Sequence, residues 1–174
     1  MVILRATRKL HPLLPEVEAV SSQSDTALGD WYVNRIMVSR QPLLLLVSST
    51  SLLSILLPAR DVRGLPDRLA THVSNRLKRC GIDDEVIADE MRAMKPVVVQ
   101  ATVNRSVLGI MVDFAKAIPY YFESRKFDDA TFEEAEVLLA ENPCHAARSF
   151  DRVIFPARKA PELLCAKWLG RQAT

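Results

Sequence analysis

Asn104-Arg105-Ser106 is the stretch of this sequence richest in groups that can hold an anion. Asparagine and serine cap helices, the free N–H groups of a helix start favour negative charge, and an arginine fork grips phosphate or carboxylate through two parallel hydrogen bonds. The apolar residues that follow, Val107, Leu108, Met111, Phe114, Ala115 and Ile118, fall within one arc at 3.6 residues per turn. Ser106, Gly109 and Asp113 therefore lie on the opposite side of the same predicted helix. The competing explanation is plain capping by Asn104 or Ser106 with a solvated outer face.

A second concentration of charge is Arg63, Arg68, Arg76, Lys78 and Arg79. It falls at or along the outer side of a helix whose inner stripe is Leu65, Leu69, Val73, Leu77 and Cys80. Such cations can neutralise phosphates, and Gly64 allows close backbone approach at the helix start. No aromatic residue lies on that side to stack on bases, so a solvated helix face competes with a nucleic-acid surface. Gly29-Asp30-Trp31-Tyr32 can place a carboxylate and an aromatic platform at a pocket mouth, or can be a turn followed by the first core anchor of a strand.

Other chemistries are excluded by what is missing. There is no glycine-rich phosphate loop, no His-Glu-x-x-His, no paired CxxC and no nucleophile elbow. His11, His72 and His145 are the only imidazoles, and Cys80, Cys144 and Cys165 lack metal or redox spacing, so no metal or other cofactor is expected. Cys144-His145 is a poor nucleophile and base, because a productive pair usually comes from separate elements. His72 sits at the edge of an apolar stripe and reads as a packing residue.

The elements that must position these groups follow from the patterning. The chain has 174 residues, 49% hydrophobic and 25% charged, the profile of one ordinary globular domain over 1–174. With no export signal, reduced cysteines and no membrane span, the expected location is the cytoplasm. Pro42 to Pro58 is apolar but too short for a span and is split by Ser48-Ser49-Thr50-Ser51, so it reads as two buried strands joined by a tight loop.

Val2-Ile3-Leu4 is a first strand. Leu10 to Val20 is an irregular or briefly helical connection, and Ser21 to Asp25 a polar loop. Trp31 to Ser39, a turn at Arg40-Gln41-Pro42, Leu43 to Val47 and Leu52 to Leu57 make a three-stranded antiparallel meander over 31–57. Helices are predicted over 65–80 and about 84–94, with a strand at Val97-Val98-Val99. A further helix starts at Asn104 or Ser106 and is ended or kinked by Pro119. Another opens on a Thr131/Glu134 capping box and runs to Asn142-Pro143. A late strand is read at Val153-Ile154-Phe155, and a last helix opens at Pro161 and runs through Trp168. The fold class is α+β: an antiparallel sheet, with an N-terminal strand and the meander, packed against four to five helices.

Charge is uneven along the chain. Residues 1–80 carry 11 basic against 6 acidic side chains, 81–142 carry 6 against 13, and 143–174 carry 6 against 2. A mixed solvated surface, ends that pack against the middle, and a basic face for an acidic partner all fit.

Leu4-Arg5-x-Thr7-x-Lys9-Leu10, Leu28-Gly29-Asp30-Trp31-Tyr32-x-Asn34, Arg40-x-Pro42-Leu43 and the run from Asn104-Arg105-Ser106 to Asp113-Phe114-Ala115 together resemble a widespread bacterial domain family of unknown function, over about residues 1–125. The resemblance implies a bacterial cytoplasmic domain and no activity. It marks Thr7, Lys9, Asp30, Trp31, Asn34, Asn104, Arg105, Ser106 and Asp113 as matching the family pattern, whereas Ile110 and Val112 stand where the pattern has a small polar residue and an asparagine.

Three functions remain open from sequence. The first is a non-catalytic binding or accessory protein engaging nucleic acid, or a nucleic-acid-bound partner, through the Arg63 to Arg79 face. The second is a small enzyme acting on a phosphorylated or nucleotide substrate, with Lys9 and Arg105 holding the anion and Asp30 or Asp113 as base. The third is a protein-protein module, such as half of a toxin-antitoxin-like pair.

Overall fold

A computed structural model of the chain describes residues 1–15, 23–60, 62–123, 125–145 and 153–170. An inner strand of its main sheet is β1 (Val2–Ala6), buried along its whole length and paired in parallel on both sides. Its neighbours are β2 (Trp31–Val38) and β5 (Val97–Ala101). β3 (Gln41–Ser48) and β4 (Ser54–Pro58) extend the sheet beyond β2 as an antiparallel meander, giving the order β4-β3-β2-β1-β5. The meander is as expected, and the parallel pairing of β1 makes the whole sheet mixed. Parallel neighbours need long crossovers. Residues 7–30 supply one between β1 and β2, and the stretch from 59 to 96, which holds two helices, returns the chain from β4 to β5.

Helices cover both faces of the sheet. α1 (Leu65–Arg79), α2 (Asp84–Ala93) and α5 (Pro156–Trp168) enclose a core with Leu4, Trp31, Leu46 and Leu69. α3 (Arg105–Tyr121) and α4 (Asp129–Glu141) enclose another with Tyr32, Leu45, Met111 and Phe114. This explains why Leu43 to Val47 shows no polar alternation. Leu44 and Leu46 point into the first core while Leu43, Leu45 and Val47 point into the second. Cys144–His145 (β6) pairs with Val153–Ile154 (β7) in a separate two-stranded ribbon. Among the described residues no helix is long and apolar enough to cross a membrane, and Pro42 to Pro58 forms β3, β4 and the loop between them.

Four local expectations are corrected. The β2–β3 turn is the two-residue loop Ser39-Arg40, both with positive φ (48° and 68°), the geometry whose twist matches a hairpin, so Gln41 and Pro42 already belong to β3. Pro119 does not end α3, because buried Ile118 and Phe122 anchor the last turn against the core. α4 is capped by Asp128, whose side chain accepts from the Thr131 N–H at 2.9 Å, and Thr131 itself lies inside the helix and is buried. α5 begins at Pro156 with Pro161 inside it, since Phe155 is already its cap. The expected connection from Leu10 resolves into a short 3-10 turn at His11–Leu13, and its part beyond residue 15, with the start of the polar loop at Ser21, lies outside the described residues.

Candidate functional site at the carboxyl ends of the parallel strands

β1 and β5 run side by side and end together, Ala6 opposite Ala101. The chain leaving β1 carries Leu10 and Leu14 into the α1–α2–α5 core, whereas the chain leaving β5 enters α3 on the opposite face. Connections that depart to opposite faces from adjacent parallel strands leave a crevice beyond their carboxyl ends, which is where open sheets hold ligands.

Register brings polar side chains to the α3 face beside that crevice. Arg5 lies opposite both Tyr32 and Gln100. Its guanidinium donates from Nε to Asp30 Oδ2 at 2.8 Å and from Nη1 to Gln100 Oε1 at 2.6 Å and the Ala101 carbonyl at 3.3 Å. Ser24 donates to the other Asp30 oxygen at 2.6 Å. A charged group that is only 7% exposed tolerates burial because its donors meet a carboxylate and two further acceptors. One step along the strands, Thr7 donates to Asn34 Oδ1 at 3.1 Å. The Asn104 N–H donates to the Tyr32 hydroxyl at 3.1 Å, fixing the start of α3 over the sheet.

The turn that delivers Asp30 is tightly built. Gly29 has φ of +69°, and a Cβ there would lie 2.5 Å from Ser49 Oγ, so no side chain fits. Ser49 Oγ also accepts the Asp30 N–H at 2.9 Å. Behind the turn the buried Glu90 carboxylate accepts from the N–H groups of Ala27 and Leu28 and from the Trp168 indole, at 2.8, 3.0 and 2.8 Å. Three N–H donors satisfy a carboxylate that has no cation paired with it among the described residues, and they tie α2 and α5 to the turn.

The sequence candidates are thus partly brought together. Asp30 and Asn34 lie on this face, Asn104 is the cap of α3, and Lys9 and Arg105 are exposed at the same end of the sheet. Asn104 Oδ1 accepts from the N–H groups of Ser106 and Val107 at 2.9 and 3.4 Å, so the helix start satisfies itself and an anion there would be held by side chains. Trp31 is displaced from the candidate set: it is fully buried on the opposite face, its indole N–H without a partner among the described residues. Asp113 lies two turns down α3, exposed and facing Lys116 at 4.0 Å.

The cations of α1 do not line up as the sequence suggested. Arg63, Arg68 and Lys78 are exposed, but Arg76 is 2% exposed. Its guanidinium donates to the carbonyls of Ser54 and Glu136 at 3.1 Å and lies 3.3 Å from the Glu136 carboxylate. Arg79 is engaged by Glu136 and, at 3.4 Å, by Glu133. The physical reason is spacing: Arg76 falls three residues after Val73 and four before Cys80, on the inner stripe. Glu136, 1% exposed, also accepts the Leu56 N–H at 2.8 Å, and burial pushes its carboxyl above the usual range against the pull of that N–H and the two arginines.

The Cys144 thiol is not activated. It is buried beside Asn142, and burial, with the charge of Asp113 adding, pushes it up to about 11. Among the described residues no group of three or more His, Cys, Asp or Glu side chains has the geometry to hold a metal ion.

Sequence reasoning missed Arg5, Gln100, Glu90 and Glu136. Arg5 had a signal: a lone charge inside Val2-Ile3-Leu4-Arg5-Ala6, a strand otherwise wholly apolar, must find a buried partner. No curated protein matches the chain. The three contacts Arg5–Asp30, Thr7–Asn34 and Tyr32–Asn104 join three separate sequence blocks, and a family model spans them all: over residues 3–159 the chain matches the family described as "Domain of unknown function (DUF6933)", and it belongs to that family.

Proposed function

We propose that this chain is a non-catalytic binding domain that takes a small phosphate-bearing molecule, such as a nucleotide, in the crevice beyond the carboxyl ends of β1 and β5. The observation that supports it is the departure of the two strand connections to opposite faces, with Lys9 and Arg105 exposed at that end of the sheet and the Thr7–Asn34 pair beside them. Lys9 acts as a point charge and Arg105 as a two-pronged donor, a division of labour that suits phosphate. An enzymatic role has less support. Both Asp30 oxygens already accept strong hydrogen bonds, from Arg5 and Ser24, so this carboxylate orients its neighbours and is poorly placed to take a proton.

The test is calorimetric titration with inorganic phosphate, a sugar phosphate and nucleoside mono-, di- and triphosphates. Saturable binding to one of them, weakened at least roughly tenfold by Arg105→Gln and by Lys9→Gln, is expected. Failure of every compound at millimolar concentration would overturn the proposal. Nucleic-acid engagement through the exposed remainder of the α1 face, Arg63, Arg68 and Lys78, predicts instead salt-sensitive binding of random duplex or single strands that charge reversal at those three positions abolishes.

A further inference from the structure

The two edges of the sheet are finished differently, and the difference is independent of the crevice. The β4 edge is closed to strand addition: the Leu56 N–H is taken by Glu136, the Ser54 carbonyl by Arg76, and Pro58 has no N–H. The β5 edge has no such cover. In the parallel register of β1 with β5 the Val2 N–H donates to the Pro96 carbonyl at 3.0 Å, and this fixes the phase of the ladder. The backbone groups of Val98 and Gln100 face β1, and those of Val97, Val99 and Ala101 face away from it. Of that outward set only the Ala101 carbonyl meets a donor among the described residues, Arg5 Nη1 at 3.3 Å, and it keeps a second lone pair.

The side chains of this edge do nothing to repel another strand. From Val97 to Ala101 there is no charge and no proline, and Val103, just beyond, is 68% exposed. The strand is also complementary to itself. A two-fold axis through Val99 lays β5 antiparallel against β5 of a second copy, with Val99 opposite Val99 and Val97 opposite Ala101. Those are the alternate positions at which antiparallel strands exchange both hydrogen bonds, so every outward backbone group of the strand gains a partner. No charge meets its like. Val98 falls opposite Gln100, and the next outward positions set Val103 against Lys95 of the second copy, whose aliphatic stem covers it while the ammonium stays in water.

We propose that β5 is a self-association surface, joining two copies of this chain edge to edge so that their five-stranded sheets become continuous. A strand of another protein would meet the same backbone groups, but the match of this sequence to its own reverse favours a second copy. A two-fold contact uses the same surface on both copies and closes on itself. With β4 plugged at each far end, assembly stops at the dimer.

The test is sedimentation equilibrium of the full chain over a dilution series. A reversible monomer–dimer equilibrium is expected, with the Val97 and Val99 amide protons exchanging more slowly as concentration rises. Ala101→Pro should weaken dimerisation roughly tenfold or more. The position is exposed, ends its strand and turns its N–H away from β1, so the fold is retained. Val103→Glu should dimerise several-fold more tightly than Val103→Lys at low salt, and the gap should close at high salt, because the antiparallel register sets position 103 against Lys95. A monomer at every concentration up to millimolar would overturn the proposal. So would a dimer indifferent to Ala101→Pro, or equal dimerisation of the two Val103 variants at low salt.

Discussion

Two buried arginine–carboxylate clusters flank this sheet, one at the carboxyl ends of its parallel strands and one along its β4 edge, and they differ in what surrounds them. At the parallel end Arg5 and Asp30 bind the side chains of Gln100 and Ser24 as well as the Ala101 carbonyl, with the Thr7–Asn34 pair one step along the strands and Lys9 and Arg105 exposed at the same end. At the β4 edge Arg76 and Glu136 bind backbone: the Ser54 carbonyl and the Leu56 N–H. The second cluster satisfies an edge strand that would otherwise present unpaired groups to another chain. The first holds polar side chains in place at the carboxyl ends of the parallel strands. Buried ion pairs are weak evidence for stability in general, and here the identity of their other partners separates an edge plug from a candidate site.

The largest effect should come from Glu136→Ala, which leaves the Leu56 N–H of the edge strand without its acceptor. It also removes the countercharge of Arg76, which is 2% exposed, and the acceptor for Arg79, so a loss of roughly 3–5 kcal/mol is expected in urea unfolding. Association through the unplugged β4 edge should follow, visible by light scattering as species larger than those of the parent. Asp30→Ala leaves Arg5 with Gln100 and the Ala101 carbonyl, so a smaller cost of about 1.5–3 kcal/mol is expected and the protein should keep the assembly state of the parent. Equal costs for the two variants, or larger species from both, would erase the distinction between the clusters.

Asn104→Ala sharpens it from the other side. The cap accepts from two N–H groups at the start of α3, so the stability cost is about 1 kcal/mol, but the displacement of Arg105 should also weaken phosphate binding.

The physics behind these clusters explains how far the sequence could be read. The meander, α1, α2, β5 and α3 follow from apolar periodicity, which reports how each element meets the core. Charged residues on an inner arc are the failure of that method. Glu90 shares its arc with Val86, Ile87 and Met94, Arg76 with Val73 and Leu77, and Glu136 with Phe132 and Leu139; charge assigned Arg76 to the outer face, and Glu90 and Glu136 were not singled out at all. The partners that make their burial tolerable lie 22 to 80 residues away in sequence, as for Arg76 with Ser54 and Leu56 with Glu136, and no local pattern carries that information. Asp30, Asn34 and Asn104 were identifiable as members of sequence blocks, but their meeting depends on the parallel register of β1, which follows from the crossovers and not from any one segment.

A smaller effect belongs to His72, which lines a cavity of about 280 Å³ between α1 and α4 beside the edge plug. Its pKa is lowered in the folded chain by burial and by Arg68, so below about 6.5 the unfolded chain binds the proton more readily. Stability carried by neutral His72 is therefore full above about pH 6.5 and declines as pH falls from there through the folded value. Melting temperature measured from pH 7.5 down to 5 should fall less steeply for His72→Gln than for the parent chain. Matching slopes would mean that His72 is solvated and that the cavity is more open than its lining implies.

The smallest effect on stability should come from Lys9→Gln and Arg105→Gln, and that smallness is what makes them decisive. Both side chains are exposed, and among the described residues neither meets an acid, so each substitution should change unfolding free energy by no more than about 0.5 kcal/mol. A cation retained at a strand end without an internal partner does nothing for the fold that glutamine would not do. If these variants unfold like the parent and lose phosphate binding, the Arg5–Asp30 cluster is support for a ligand site. If they unfold like the parent and bind equally well, the polar face beside α3 is as structural as the plug at β4.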